Sequence, residues 1–272
     1  MNLEDIGTQL MYTTAPIYAV RNDKTVSAGT SFVFSINQTE NSSIPLLITN
    51  YHVVKDSIGG YVEMQLAKNG IPSKEVVRVQ FDKAVLEPNK LGQLDLVALP
   101  LAGAINDMHE KGIQVFFKSI DCSLLPKSDD INEFSAIEEI TFIGYPSAIY
   151  DTVNKIPVIR QGITATPIWN NFKGEKVFLI DAGVFPGSSG SPVFIYNRGT
   201  YPTKDGIAVG SRIKFVGILK ETLQRKEEAG LDYLDLGIVI NSMSFFEELN
   251  KYIIKMTGQS IKELSNNSHR GG

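Results

Sequence analysis

The 272-residue chain has a single cysteine, Cys122. No disulfide can form within it, so packing alone has to hold the fold, and a reducing compartment is the expected setting. The opening, Met1-Asn2-Leu3-Glu4-Asp5-Ile6-Gly7, is acidic and lacks the basic segment followed by an apolar run that marks a secretory signal. No apolar stretch approaches the roughly 18 residues of a membrane span. The expected location is therefore cytoplasmic. The sequons Asn37-Gln38-Thr39 and Asn41-Ser42-Ser43 then carry no meaning, because glycosylation needs an export route.

Basic residues are also in short supply, with 26 Lys and Arg against 30 Asp and Glu for a formal net charge of -4. Nucleic acid and anionic membranes select basic surfaces, so neither is expected as a partner. Histidine is scarce: His52, His109 and His269 lie far apart in sequence. With one cysteine beside them, no metal site is expected, and no cofactor is implied. Long helical patterns, internal repeats and heptads are missing too. What remains is 43% hydrophobic and 21% charged, the composition of an ordinary folded protein with a large core.

The apolar residues come in short runs rich in Val, Ile, Leu, Phe or Thr, bounded by Asn, Asp, Gly or Lys. That pattern predicts strands at 17–20, 30–36, 46–49, 62–66, 76–81 and 94–99, and again at 140–143, 158–166, 177–181, 192–196, 213–220 and 236–240. Between the two sets, Ser123, Pro126, Lys127, Ser128, Asp129, Asp130 and Asn132 break the apolar pattern, which predicts a linker over 121–138. The expected organisation is an N-terminal segment (1–15) with one or two helical turns, a β unit (16–120), the linker, a second β unit (139–241), a helix (242–258) and a flexible tail (259–272). The helix rests on a capping box at Ser244-Phe245-Phe246-Glu247 and an apolar stripe of Phe245, Leu249, Tyr252, Ile253 and Met256, closed by Gly258.

Three places carry candidate chemistry. Gly187-Ser188-Ser189-Gly190-Ser191-Pro192 is a tight turn of small residues between apolar runs, and such a turn can lift one side chain out of a rigid scaffold. His52 ends the apolar run Leu46-Leu47-Ile48-Thr49-Asn50-Tyr51, whereas His109 sits in a charged stretch and His269 in the polar tail. Asp95 stands inside Leu94-Asp95-Leu96-Val97-Ala98-Leu99, and a buried carboxylate needs a cationic or hydrogen-bond-donating partner. Taken singly, His52 also reads as a hydrogen-bonded core histidine and Asp95 as a strand-edge residue facing water.

In the order His52, Asp95, Ser189 the chain resembles the chymotrypsin-like serine proteases. The resemblance rests on Gly29-Thr30-Ser31-Phe32-Val33, Thr49-Asn50-Tyr51-His52-Val53-Val54, Asp95-Leu96-Val97-Ala98-Leu99, Gly187-Ser188-Ser189-Gly190-Ser191-Pro192, and Phe215-Val216-Gly217-Ile218 followed by Gly237-Ile238-Val239-Ile240. It is nearest to the disulfide-free bacterial branch that includes the HtrA-type protease domain, and no PDZ module is expected after the helix. The fold it implies is all-β: two six-stranded antiparallel β-barrels with a C-terminal α-helix. The activity it implies is that of a trypsin-like serine endopeptidase, with His52, Asp95 and Ser189 as catalytic triad and the Gly187 and Ser189 amides as oxyanion hole. A protein or peptide is then the substrate. A regulatory protein partner joins it if a switch, rather than narrow specificity, restrains the enzyme.

The same resemblance places Gly183, Lys220, Thr222 and Gly237 around the substrate pocket. Gly183, six residues before the nucleophile, brings no charge to the pocket base, so an uncharged side chain before the cut is expected. Ser188 stands where vertebrate digestive members carry an aspartate that pairs with a newly cut N-terminus. It cannot form that pair, so activity without trimming is expected. Two rivals remain. An α/β-hydrolase esterase needs Gly-x-Ser-x-Gly and a histidine after the serine, but Ser191 holds the last motif position and only His269 follows. The other rival is a catalytically silent or partner-activated binding protein built on the protease fold.

Overall fold

Each of these short apolar runs forms a strand in the computed structural model, which describes residues 2–39, 42–146, 149–227 and 230–266. The N-terminal unit comprises α1 (Ile6–Met11), β1 (Thr14–Val20), β2 (Val26–Thr39), β3 (Ser42–Asn50), the one-turn helix α2 (Tyr51–Val54), β4 (Gly59–Lys68), β5 (Ile71–Asp82), β6 (Leu96–Pro100), α3 (Ala102–Glu110) and β7 (Val115–Phe116). The strands pair antiparallel in the order β5-β4-β1-β2-β3-β6, and β7 joins β4. This unit thus carries a seventh, two-residue strand beyond the expected six, and its hydrogen-bonded path runs from β5 to β6.

The C-terminal unit comprises α4 (Ser128–Glu133), β8 (Glu139–Gly144), β9 (Val158–Thr164), β10 (Val177–Asp181), β11 (Pro192–Asn197), the hairpin β12 (Thr200–Thr203) and β13 (Gly206–Val209), β14 (Arg212–Glu227), β15 (Gly230–Asn241), α5 (Ser242–Thr257) and α6 (Ile261–Asn266). Six of its strands close into a barrel in the order β10-β15-β14-β11-β8-β9, as expected. The β12–β13 hairpin pairs only with itself.

The continuous apolar runs of β2, β3 and β6 follow from burial on both faces. Successive side chains of a strand point to opposite sides. Val33, Leu47, Val97 and Leu99 therefore enter the interior of the N-terminal unit, while Phe32, Phe34, Leu46, Ile48, Leu96 and Ala98 face the cluster between the units. Phe215, Phe194 and Phe245 meet them there, with the Phe34 and Phe245 rings edge to face at 5.3 Å. A third cluster, including Phe142, Phe178, Val193, Val216 and Val239, fills the closed barrel.

Three expectations need correction. The segment 121–138 is not a free linker: it carries a single helical turn at Cys122–Leu124, then α4, and it is anchored by buried Phe134 and by Glu138. Glu138 Oε2 lies 2.5 Å from Arg212 Nη2, with both side chains under one-tenth exposed. Helix α5 starts at Ser242, as the expected bounds 242–258 have it, but the cap is not the Ser244 box: β15 runs straight into the helix and Asn241 caps it, accepting from the Met243 amide at 2.8 Å. Phe245, Leu249, Tyr252 and Ile253 are buried as expected, but Met256 in the last turn is 57% exposed. Finally, the tail forms α6. Ser260 and Glu263 make a reciprocal cap, and Ile261 and Leu264, three apart on one face, are buried in the central cluster. His269 lies outside the described residues.

Candidate active site

The register of β3 against β6 creates the first half of the site. Asn50 pairs with Leu96, so Tyr51 and His52 in α2 and Asp95 just before β6 emerge at the same end. Asp95 is fastened through every acceptor it has. Its carbonyl accepts from the Tyr51 amide at 3.1 Å and the Asn50 side chain at 3.0 Å. Its Oδ1 accepts from the His52 amide at 2.8 Å, and Oδ2 lies 2.5 Å from His52 Nδ1. An ionised carboxylate only accepts, so the proton of the neutral ring belongs on Nδ1 and Nε2 is left as an acceptor. Asp95 is part-buried at the lip of the strand rather than inside it, with its side chain 20% exposed and that of His52 37% exposed. His109 is exposed on α3, away from this pair.

The second half is the turn between β10 and β11. The Ser188 amide donates to the Phe185 carbonyl at 3.0 Å, Ser191 to Ser188 at 3.0 Å, and Gly190 to Leu219 at 2.8 Å. Gly187 and Gly190 hold φ of 89° and 92°, the left-handed region that favours glycine. At Gly190 a Cβ would lie 2.0 Å from the Thr30 carbonyl. The Gly187 and Ser189 amides donate to no acceptor among the described residues. Neither does the Ser189 hydroxyl, so Ser189 and His52 are not joined by a hydrogen bond. The two halves nonetheless adjoin: Gly29 is so closely flanked that a Cβ would lie 2.8 Å from Val53 Cγ1 and 3.3 Å from the Ser189 carbonyl. Ser188 is buried and its hydroxyl has no partner among the described residues, so no ion pair holds it.

Of the expected pocket residues, three gather around Val184. Thr222 Oγ1 donates to the Val184 carbonyl at 3.1 Å. Gly237 faces Ile180, Val184 and Leu219, where a Cβ would fall within 2.8, 2.9 and 3.0 Å of them. Gly183 precedes Val184 in the chain. Val184 itself is only 4% exposed and occupies the space that a glycine at 237 leaves open. A cation lies beside Gly183: a Cβ there would lie 2.6 Å from Arg160 Nη2. Arg160 is half-buried, its guanidinium sits 4.5 Å over the Phe185 ring, and it forms no ion pair among the described residues. Strand alternation puts Arg160 on one side of β9, but nothing in the sequence says what it faces.

Lys220 lies apart from those three. It lines a groove of about 370 Å³ with Asp95, Leu94, Glu175 and Lys176. Burial works to lower the Lys220 ammonium, but the bond to Glu221 Oε1 at 3.0 Å and the charges of Glu221 and Asp95 outweigh it and hold its pKa above the usual lysine range. On the other side of His52, Tyr51 donates to Glu87 and carries Lys90 4.6 Å above its ring. The hydrogen bond to Glu87, with some burial, pushes the phenol up to about 12.

Thr30 makes contacts with the turn that the sequence hid. It is fully buried on β2, in the other unit, yet its amide donates to the Ser189 carbonyl at 2.8 Å and its hydroxyl to the Gly187 carbonyl at 3.0 Å. The partner lies 157 residues away along the chain, so no local pattern announces it.

A family model described as trypsin-like peptidase domain matches residues 29–200. No curated protein matches the chain. Among solved structures, the chain is similar to the HtrA-type protease AlgW with tripeptide, at 16% identity and a TM-score of 0.50 over 95% of this chain. It spans 65% of the length of that protein. Further similarities are to Deg5, at 14% identity and TM-score 0.49 over 93% of each chain, and to the Rv3671c protease of M. tuberculosis in its active form, at 14% identity and TM-score 0.43 over 89% of this chain and 82% of that one.

Proposed function

The chain belongs to the trypsin-like peptidase domain family, and from that premise we propose that it is a serine endopeptidase acting through Ser189, His52 and Asp95. The observation that carries this reading is the Asp95 carboxylate bound to both the ring and the amide of His52. A serine hydroxyl is a weak nucleophile until a base accepts its proton, and a base needs its tautomer fixed. Ser189 Oγ attacks the scissile carbonyl carbon while His52 Nε2 takes its proton. The carbonyl oxygen becomes an oxyanion facing the Gly187 and Ser189 amides, which have no other acceptor among the described residues. As the C–N bond breaks, Nε2 returns the proton to the leaving amine and the acyl group stays on Ser189. Water, deprotonated by the same nitrogen, then attacks the acyl carbon, and as the bond to Ser189 Oγ breaks Nε2 returns that proton to Oγ and the acid departs. The Arg160 cation beside Gly183, without an ion pair among the described residues, disfavours Lys or Arg before the cut, in keeping with the absence of an acidic residue at 183.

A second reading, a silent or partner-activated binding protein, is raised by one observation: among the described residues the Ser189 hydroxyl is not bonded to His52. Nucleophile and base often tighten only when substrate binds, so this contact is compatible with either reading. A fluorophosphonate probe separates them. An enzyme adds one phosphonyl mass to the intact protein, on Ser189, and Ser189→Ala abolishes it. An unlabelled wild-type protein would overturn the endopeptidase reading.

A further inference from the structure

The nucleophile turn is not held by its own barrel alone, as its peptide groups show when each is followed to a partner. The plane joining residues 187 and 188 is tied at both ends, by the Thr30 hydroxyl on the Gly187 carbonyl and by the Phe185 carbonyl on the Ser188 amide. The plane joining 189 and 190 is likewise tied at both ends, by the Thr30 amide on the Ser189 carbonyl and by the Leu219 carbonyl on the Gly190 amide. Between them, the plane joining 188 and 189 gives its carbonyl to Ser191. What remains unengaged among the described residues are the Gly187 and Ser189 N–H groups. The Gly187 N–H lies on the plane joining 186 and 187 and the Ser189 N–H on the plane joining 188 and 189, so each belongs to a plane that adjoins one tied by Thr30.

The Thr30 hydroxyl is itself aimed. The Tyr145 amide donates to its oxygen at 2.8 Å, and a hydroxyl has one hydrogen, which is left for the Gly187 carbonyl. Thr30 is fixed from its other side as well, since its carbonyl accepts from Thr49 Oγ1 at 2.8 Å. Gly187, being glycine, pays little sterically to rotate. The hydrogen bond, not the backbone's own preference, therefore sets the direction of the peptide joining 187 and 188, which the plane carrying the Gly187 N–H adjoins.

We propose that Thr30 is a positioning residue of the N-terminal sheet that keeps the Gly187 and Ser189 amides directed at the developing oxyanion, a role that rests on the endopeptidase reading above. Thr30 touches no substrate; it acts through the turn. Its hydroxyl also bridges Tyr145 to Gly187, so displacement of the segment after β8 reaches the oxyanion site through one oxygen atom.

The test compares fluorophosphonate labelling rates per folded molecule for wild type, Thr30→Val, Thr30→Ser and Ser31→Ala. Valine keeps the shape and loses the hydroxyl, whereas serine restores it. Ser31→Ala is the matched control: it is equally buried in β2 and loses a hydrogen bond to the Ala15 carbonyl of 2.8 Å, but touches no part of the turn. The expected result is a fall on the order of a hundredfold for Thr30→Val, comparable to loss of one oxyanion donor. Thr30→Ser should recover to within about threefold and Ser31→Ala stay within about twofold of wild type. The pH midpoint of labelling should be the same in Thr30→Val as in wild type, because the base is untouched. Labelling of Thr30→Val at the wild-type rate, or an equal loss in Ser31→Ala, would overturn the role of Thr30 while leaving the enzyme reading intact. An unlabelled wild type would instead remove the reading on which it rests.

Discussion

His52 and Asp95 are fixed by bonds that begin and end in the N-terminal unit, whereas Ser189 sits on a turn two of whose carbonyls are tied to the opposite unit. One half of the site offers side chains held by other side chains and amides. The other offers backbone amides on a turn whose neighbouring carbonyls are engaged. Chemistry of the first kind can be deleted by changing the residue that performs it. Chemistry of the second kind has no side chain to delete, so only its supports can be changed.

The sharpest way to break this contrast lies in the first half. Asp95→Asn cannot fix the same ring tautomer, so the labelling rate should fall by roughly 10⁴. A loss of less than tenfold would mean that the His52–Asp95 contact does no chemical work. The next effect separates folding from chemistry in the second unit. Glu138→Ala leaves the Arg212 guanidinium, 9% exposed, without its carboxylate. Denaturant unfolding should show a loss of about 3–5 kcal/mol, while the labelling rate per folded molecule stays as in wild type.

A smaller change tests what lies beside the turn. Removing the cation in Arg160→Ala should raise cleavage after Lys or Arg by about tenfold in a peptide-library profile, because like charges repel most where they are part-buried. An unchanged profile would place Arg160 outside the pocket. The smallest effect is on stability against pH. Burial works to raise the Asp130 carboxyl, but Lys214 Nζ at 2.7 Å, the Lys127 amide and both lysine charges overrule it and hold it below the usual aspartate range. The folded value is depressed, so its stabilisation is complete above the ordinary carboxylate range and is lost as pH falls through the folded value. Asp130→Asn should remove that acid-side slope, by less than about 1 kcal/mol for a part-exposed pair.

Much of this architecture is legible in the sequence, for reasons that can be named. The strands β2, β3 and β6 show as unbroken apolar runs because both faces are buried. His52, Asp95 and Ser189 stand out because each is polar within or beside such a run, or lies in a turn of small residues. Helix α6 was equally visible in Ser260-x-x-Glu263 with Ile261 and Leu264, but a polar average over the segment conceals a one-sided pattern. Other features could not be seen. Gly237 suggests an open wall until Val184 is found against it. Arg160 and Thr30 matter through contacts with a distant segment, and periodicity gives the side of a strand on which a residue lies, never its neighbour across the fold.

The packing of α6 and α5 against β2 orders events in time. Phe32 and Phe34 leave the ribosome early, yet Phe245, Ile261 and Leu264, which cover the same apolar cluster, are made more than two hundred residues later. The turn that meets Thr30 is also a late product. A growing chain can pair its first strands, but its cleft closes only once residues 242–266 have emerged. Synthesis itself thus delays the moment at which the two halves of the site are brought together.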